Sequence, residues 1–228
     1  DEVIVPGLTY ISTGLSVLLN NNNLIFADVD NKTGLISIEK TVQKINKKTK
    51  AIIAVNLYGQ KVDLKKLRLR IGKKIPIIED AAQSHFAYSC YNCSGYSKNK
   101  CCKKEKNDSY ADISCYSFYP SKNIGAYGDG GLVATNNKKL YKKLLSLRNL
   151  GSMKKHEYTL IGLNSRLDTL QAAVLKQKLK SILKLNECRR KIAKIYDNNL
   201  NKIKEINLTK TKPGSTHHLY VIRTKKRD

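Results

Sequence analysis

Short apolar runs recur along the chain at Val3–Val5, Leu24–Ala27, Ala51–Val55, Ile75–Ile78, Ile113–Phe118 and Gly131–Thr135. Each is short and most are rich in β-branched residues, which suits strands buried on both faces of a sheet. Between most of them lie stretches whose apolar residues recur three and four apart: Ser12–Leu19, Ile38–Ile45, Leu64–Ile71 and Lys138–Leu147. That is the spacing of one helix face. Strands alternating with helices predict an α/β layered domain, with a mostly parallel mixed sheet between helices.

After Gly151 the pattern changes. Leu170, Val174, Leu175, Leu179, Ile182 and Leu183 predict one long amphipathic helix from Leu167 to Leu185, followed by a second from about Glu187 to Leu200. Residues 203–212 are polar and turn-like, Pro213-Gly214 marks a loop, and His218–Arg223 reads as a last strand. The expected organisation is a large domain over residues 1–185, then a linking helix and the start of a smaller α+β domain over 186–228. Both ends read as cut from a longer polypeptide, because the chain enters a strand at once and stops in a basic tail.

Composition adds one loud feature. Of 228 residues, 43 are Lys or Arg and 18 are Asp or Glu, a formal net charge of +25. A strongly basic balance is the footprint of a polyanion binder. Here, however, 35 of the basic residues are Lys and only 8 are Arg, the Lys are spread almost evenly, and Asn is abundant at 20 residues. Arg supplies the bidentate contacts to phosphate and guanine, so its scarcity argues for a solvated Lys-rich surface and against nucleic acid as the main partner. No apolar run approaches the roughly 20 residues of a membrane span, and no signal peptide opens the chain. A soluble cytoplasmic protein is expected.

The segment from Tyr88 to Tyr110 reads as a surface insertion between two core strands. It holds Cys90, Cys93, Cys101 and Cys102 among Lys, Asn, Ser and Tyr, and paired cysteines of this kind are common in zinc sites. The other reading is a set of free thiols in a low-complexity insertion. Cys115 and Cys188 read as small buried or half-buried apolar residues on a strand and a helix.

Two spots carry candidate chemistry. Ile77-Ile78-Glu79-Asp80 is an apolar strand ending in carboxylates, and ligands of open α/β sheets sit beyond the carboxyl ends of strands. Ser117-Phe118-Tyr119-Pro120-Ser121-Lys122 follows another strand and leads into the Gly-rich stretch Gly125–Gly131. A Lys held near apolar groups has a lowered pKa and can form a Schiff base. A Lys at one strand end and a carboxylate at another is the pairing that pyridoxal phosphate requires, since the Lys holds the cofactor and the carboxylate keeps the pyridine nitrogen protonated. A helix-capping Asp and one more surface Lys is the plainer reading of the same residues.

The sequence resembles the DegT/StrS-type nucleotide-sugar aminotransferases, which are pyridoxal-phosphate enzymes of fold-type I. The similarity runs in order along nearly the whole chain: Val3–Pro6 with Thr9-Tyr10, Phe26–Asp30, Thr49–Ile53 leading to Leu57–Gln60, and Ile78–Gln83. It continues through Asp112–Asn123, Gly128–Gly131, Leu147–Asn149, Gly162–Asp168 with Gln171–Ala173, and His218–Arg223. The resemblance implies that Lys122 forms the imine with the cofactor and shuttles the proton, and that Asp80 binds the pyridine nitrogen. It places Gln83 near the ring 3-hydroxyl, Tyr10 on the ring face and Ser117 at the phosphate. Asn164 would reach the phosphate of the neighbouring subunit's cofactor in a homodimer with shared active sites. Arg166 would support that loop or make a structural ion pair, and ordinary core packing is the other reading of Tyr10.

The implied activity is transamination of a nucleotide-linked keto-sugar, with glutamate as amino donor, for amino-sugar and polysaccharide biosynthesis. Dehydratase-like members carry His where this chain has Lys122, so the Lys favours amino transfer. Three departures stand against the family pattern. The phosphate-cradling turn that precedes Val3 in the family is absent, the chain stops early in the small domain, and Phe86 replaces a usual Gly. His85 reads equally as a site residue or a strand-end histidine. A regulator or cofactor-binding pseudoenzyme, and a polyanion binder using the Lys surface, are the other two function classes.

Overall fold

A computed structural model describes residues 1–88 and 110–225. The four clustered cysteines, Cys90, Cys93, Cys101 and Cys102, lie outside the described residues. In chain order the elements are β1 (Glu2–Pro6), α1 (Ile11–Leu18), β2 (Asn23–Ala27), α2 (Ile38–Lys44), β3 (Thr49–Val55), a 3₁₀ turn (Leu57–Gly59), α3 (Leu64–Ile71) and β4 (Ile77–Asp80). Then come β5 (Ile113–Ser117), β6 (Gly131–Ala134), α4 (Lys138–Arg148), β7 (Ser152–Lys154), β8 (Glu157–Tyr158), α5 (Thr169–Leu179), α6 (Ile182–Leu200), β9 (Asn207–Leu208) and β10 (Ile222–Arg223).

Six strands form one sheet in the order β2-β1-β3-β4-β5-β6, parallel except for the antiparallel edge strand β6. The register lays Ile4, Ile52 and Ile77 side by side across β1, β3 and β4. All three are fully buried, and each such side chain contributes about 1.5–3 kcal/mol by leaving water. Helix starts follow local chemistry. Ser37, Asp63 and Asn137 accept backbone N–H groups of the first turns of α2, α3 and α4, satisfying donors that have no partner within the helix. Arg68 ties the returning chain to this layer, donating to the Tyr110 carbonyl and pairing with Asp112 at 2.7 Å.

The α/β architecture agrees with the sequence pattern, and four details differ. The fourth strand starts at Ile77, because Pro76 has no N–H to offer, and it runs on to Asp80. The long helix predicted over Leu167–Leu185 breaks between α5 and α6. There the backbone tightens to i→i−3 bonds at Lys180 and Ser181, and the Ser181 hydroxyl donates to the Lys178 carbonyl. Of its apolar stripe, Leu175 and Ile182 are buried while Leu170 is exposed. Of the strand expected over His218–Arg223 only Ile222–Arg223 pairs, with β9, while Thr216 and His218 donate their backbone N–H groups to Gly59 and Tyr58. Cys188 is exposed rather than buried, whereas Cys115 is half-buried.

Candidate active site

Because β1, β3, β4 and β5 are parallel, their carboxyl ends open on one edge of the sheet. The segments that leave this edge carry the candidate residues. Asp80 ends β4, and its register partner on β5 is Cys115, two residues before Ser117. Asp80 caps no helix. Its Oδ2 accepts from the Thr13 hydroxyl at 3.2 Å and its Oδ1 accepts from the Ala82 N–H at 3.1 Å. Thr13 is buried on α1, with the Thr9 hydroxyl 2.8 Å away. Since the one hydroxyl proton of Thr13 goes to Asp80, Thr9 is the donor to Thr13. Two hydrogen bonds thus hold the carboxylate, one on each oxygen, and fix its orientation.

Glu79 points the other way, into the core. It accepts from Asn56 at 2.7 Å and Ser114 at 2.6 Å and pairs with Lys61 at 3.3 Å. Burial works to raise its pKa, but Lys61 and the two hydrogen bonds outweigh it and the net shift is downward. The Cys115 thiol is pushed up to about 11 by burial, with Asp80 and Glu79 adding to the effect, so it stays protonated and unreactive.

Lys122 lies in a turn on the same edge, one strand over from Asp80. Its backbone N–H bonds to the Tyr119 carbonyl at 2.9 Å, and its side chain is half-buried. Burial lowers its pKa, with Asp80 opposing, so amine and carboxylate sense each other across adjacent strand ends. Beneath the turn a second apolar cluster, built on Ile124, Ala126, Leu175 and Ile182, seats it on α5 and α6. Gly125 allows the chain to fold back: a Cβ there would meet the Pro120 carbonyl oxygen at 2.2 Å. Gly125→Ala is therefore expected to push the Lys122 turn open and to cost about 1–3 kcal/mol, read as a lower denaturant midpoint.

Gln83 accepts the Tyr58 N–H on Oε1 at 2.6 Å, which leaves its amide nitrogen to donate. Ser117 Oγ accepts the Tyr119 N–H at 3.2 Å, leaving the hydroxyl proton to donate. Tyr10 is 68% exposed at the start of α1, which rules out core packing and leaves its ring face open. Asn164 is exposed and bridges to Asn149, whose side chain also receives Arg166 at 2.6 Å. Arg166 thus bonds a neutral amide and makes no ion pair among the described residues. Phe86 adopts φ 60, a left-handed conformation suited to Gly, at a strain of about 1–3 kcal/mol, and is half-exposed.

His85 sits in the loop after β4, 3% exposed, against the rings of Tyr116 and Phe118. Burial pushes its pKa down to about 4, opposed by the Ser117 backbone and assisted by the Lys122 charge. Neither ring nitrogen closes a hydrogen bond of good geometry among the described residues. Sequence reasoning missed Thr13, Asn56 and Asn123. Thr9 and Thr13 stand one helical turn apart, which was the readable signal for the first; the other two carry none beyond their neighbours.

The donors and charges present fit pyridoxal phosphate: an amine of lowered pKa, a carboxylate held in place by two hydrogen bonds, a hydroxyl and an amide free to donate, and an open aromatic face. The chain matches the DegT/DnrJ/EryC1/StrS aminotransferase family over residues 1–228. It is 42% identical over 234 residues to the dTDP-3-amino-3,6-dideoxy-alpha-D-galactopyranose transaminase of Aneurinibacillus thermoaerophilus, covering 100% of this chain and 60% of that protein. Its fold is similar to crystal structures of S. venezuelae DesV in complex with a ketimine intermediate (TM-score 0.85, 34% identity, 100% of this chain and 59% of that one). It is likewise similar to NtdA from Bacillus subtilis with bound cofactor PMP (TM-score 0.84, 30% identity, 99% and 49%). The chain spans about half to three-fifths of the length of the curated relatives it matches. An ordered set of strand-end residues and a match along the whole chain lead to one assignment: the chain belongs to the DegT/DnrJ/EryC1/StrS aminotransferase family.

Proposed function

We propose that the protein transfers an amino group to a nucleotide-linked keto-sugar, with pyridoxal 5'-phosphate as cofactor and glutamate as amino donor, in amino-sugar biosynthesis. The observation that carries this reading is the pairing of a half-buried Lys122, of lowered pKa, with Asp80 at the next strand end. When bound, pyridoxal phosphate supplies an electron sink for the carbon that loses its proton. Lys122 holds the cofactor and, with burial lowering its pKa, moves the proton. Asp80 keeps the pyridine nitrogen protonated, Gln83 donates toward the 3-hydroxyl, Ser117 donates to the phosphate and Tyr10 covers the ring. Asn164, beside Arg166 on an exposed loop with Leu163, serves the phosphate of a neighbouring subunit, so a homodimer belongs to the same proposal. So do a cytoplasmic location and the division of the chain at residues 185 and 186. Among the described residues no helix is long and apolar enough to cross a membrane.

With 35 lysines in the chain, selectivity is the test. Stoichiometric pyridoxal phosphate followed by borohydride reduction is expected to label Lys122 alone, located by peptide mapping. Scattered labelling across surface lysines overturns the cofactor assignment. Labelling of Lys122 with no amine transfer to any keto-sugar of a nucleotide panel points to a cofactor-binding regulator instead.

A further inference from the structure

The residue after Lys122 has both ends of its side-chain amide hydrogen-bonded. Asn123 is 7% exposed, and all its hydrogen bonds go to segments distant in sequence. Its Nδ2 lies 2.9 Å from Asn186 Oδ1 on α6 and 3.2 Å from the Thr216 carbonyl, and its Oδ1 lies 3.0 Å from His218 Nδ1. Asn186 in turn donates to the His85 carbonyl at 3.0 Å. The Thr216 carbonyl can only accept, which fixes which end of the Asn123 amide is nitrogen. Its oxygen is then the acceptor facing His218, so His218 must carry a proton on Nδ1. Burial, with Lys122 and other cations adding, pushes the His218 pKa down to about 4, so the neutral ring has one proton and it sits on that nitrogen.

We infer that Asn123 is a positioning residue for Lys122, latching the lysine turn to α6 and the 216–218 segment and locking His218 as the Nδ1–H tautomer. The inference rests on the cofactor role of Lys122 proposed above. The latch explains why His218 lies against the lysine turn rather than in the strand expected over His218–Arg223. Thr216 and His218 hold the Tyr58–Gly59 turn with their backbone N–H groups, while the Thr216 carbonyl and the His218 ring hold Asn123. A Cβ on Gly59 would meet Thr216 Oγ1 at 2.5 Å and the His217 and His218 nitrogens at 2.9 Å, so the docking is close. The C-terminal segment thereby sets where the lysine stands.

Two measurements on the full chain decide it. In ¹⁵N NMR of the cofactor-free protein, His218 is expected as the Nδ1–H tautomer near neutral pH, and in Asn123→Ala as a mixture. An Nε2–H ring in the unaltered protein overturns the latch, and this arm is independent of whether any cofactor binds. In the second, the absorption band from added pyridoxal phosphate is followed in time. His218→Leu is expected to slow its appearance about tenfold, the effect of about one buried hydrogen bond, while His218→Gln, which can still donate to Asn123, stays near the unaltered rate. Equal rates in all three proteins, with only a lower melting temperature in His218→Leu, make the contact purely structural and overturn the inference. A band in none of them, with the NMR result as expected, removes the cofactor role of Lys122 and leaves the latch standing.

Discussion

Lys122→Ala is expected to abolish the long-wavelength absorption of the cofactor-loaded full-length protein and to reduce amine transfer by at least about 10²–10⁴-fold. That range is the share a positioned acid–base group supplies. The side chain is half-buried and the turn that carries it is built from backbone contacts: Lys122 N–H to Tyr119, Ala126 N–H to Phe118, and the Lys178 ammonium to the Gly125 carbonyl at 2.6 Å. Truncation at Cβ removes none of these, so fold and melting temperature should hardly move. The decisive comparison is spectrum against stability. A variant that keeps both the band and turnover removes Lys122 from the chemistry, and one that loses the band through unfolding is recognised by its far-ultraviolet signal.

The second large effect concerns stability. Glu79→Leu keeps the volume but strands the Asn56 amide, the Ser114 hydroxyl and the Lys61 ammonium, all directed at the lost carboxylate. Breaking such a buried set is expected to cost about 3–5 kcal/mol, seen as a large fall in denaturant midpoint at unchanged slope. Glu79→Gln can still accept from Asn56 and, with the direction reversed, donate to the Ser114 hydroxyl while deleting the charge, so its loss should be smaller, and the difference isolates the hydrogen-bonded part. The pH dependence carries a definite sign. The folded carboxyl titrates below its usual 4.5, so its stabilisation is full above that pH and drains away as pH falls through the lower folded value. The stability gap between unaltered protein and Glu79→Gln should therefore close in acid. A gap that persists unchanged well below pH 4 makes the Glu79 contribution non-ionic. Because Glu79 and Asp80 are neighbours on β4, pointing to opposite faces, the network also holds the strand end from which Asp80 projects.

Much of this could be read along the chain. Runs such as Ile52-Ile53-Ala54-Val55 bury both faces of a strand, and only a covered parallel sheet offers that environment; the helices at Ile38 and Leu64 carry their own caps in Ser37 and Asp63. The site was legible to the extent that its parts sit at strand ends in sequence order, as Asp80 and Lys122 do. It failed where one helix stripe was extended across Ser181, since a hydroxyl competing for a backbone carbonyl is a local event that periodicity does not register. It failed again in the strand expected over His218–Arg223, where only Ile222–Arg223 pairs and the His218 N–H goes to Tyr58, in a turn more than 150 residues earlier.

The net charge of +25 is similarly divided between the two levels. Composition alone showed Lys in excess and Arg scarce, and so a solvated surface. Only tertiary structure distinguished Lys61, on Glu79, and Lys122, in its turn, from the lysines around them, because a lysine's chemistry depends on what desolvates it and which charge faces it. Fold class and the order of the strand-end groups are properties of local pattern, and the sequence by itself determined them. The hydrogen bonds from Thr13 to Asp80, from Ser114 to Glu79 and from Asn123 to Thr216 join residues 35 to 93 positions apart, and only the folded chain decided them. Contacts over such separations exist because the sheet order and the docking of α6 bring the partners together, and no local signal encodes that.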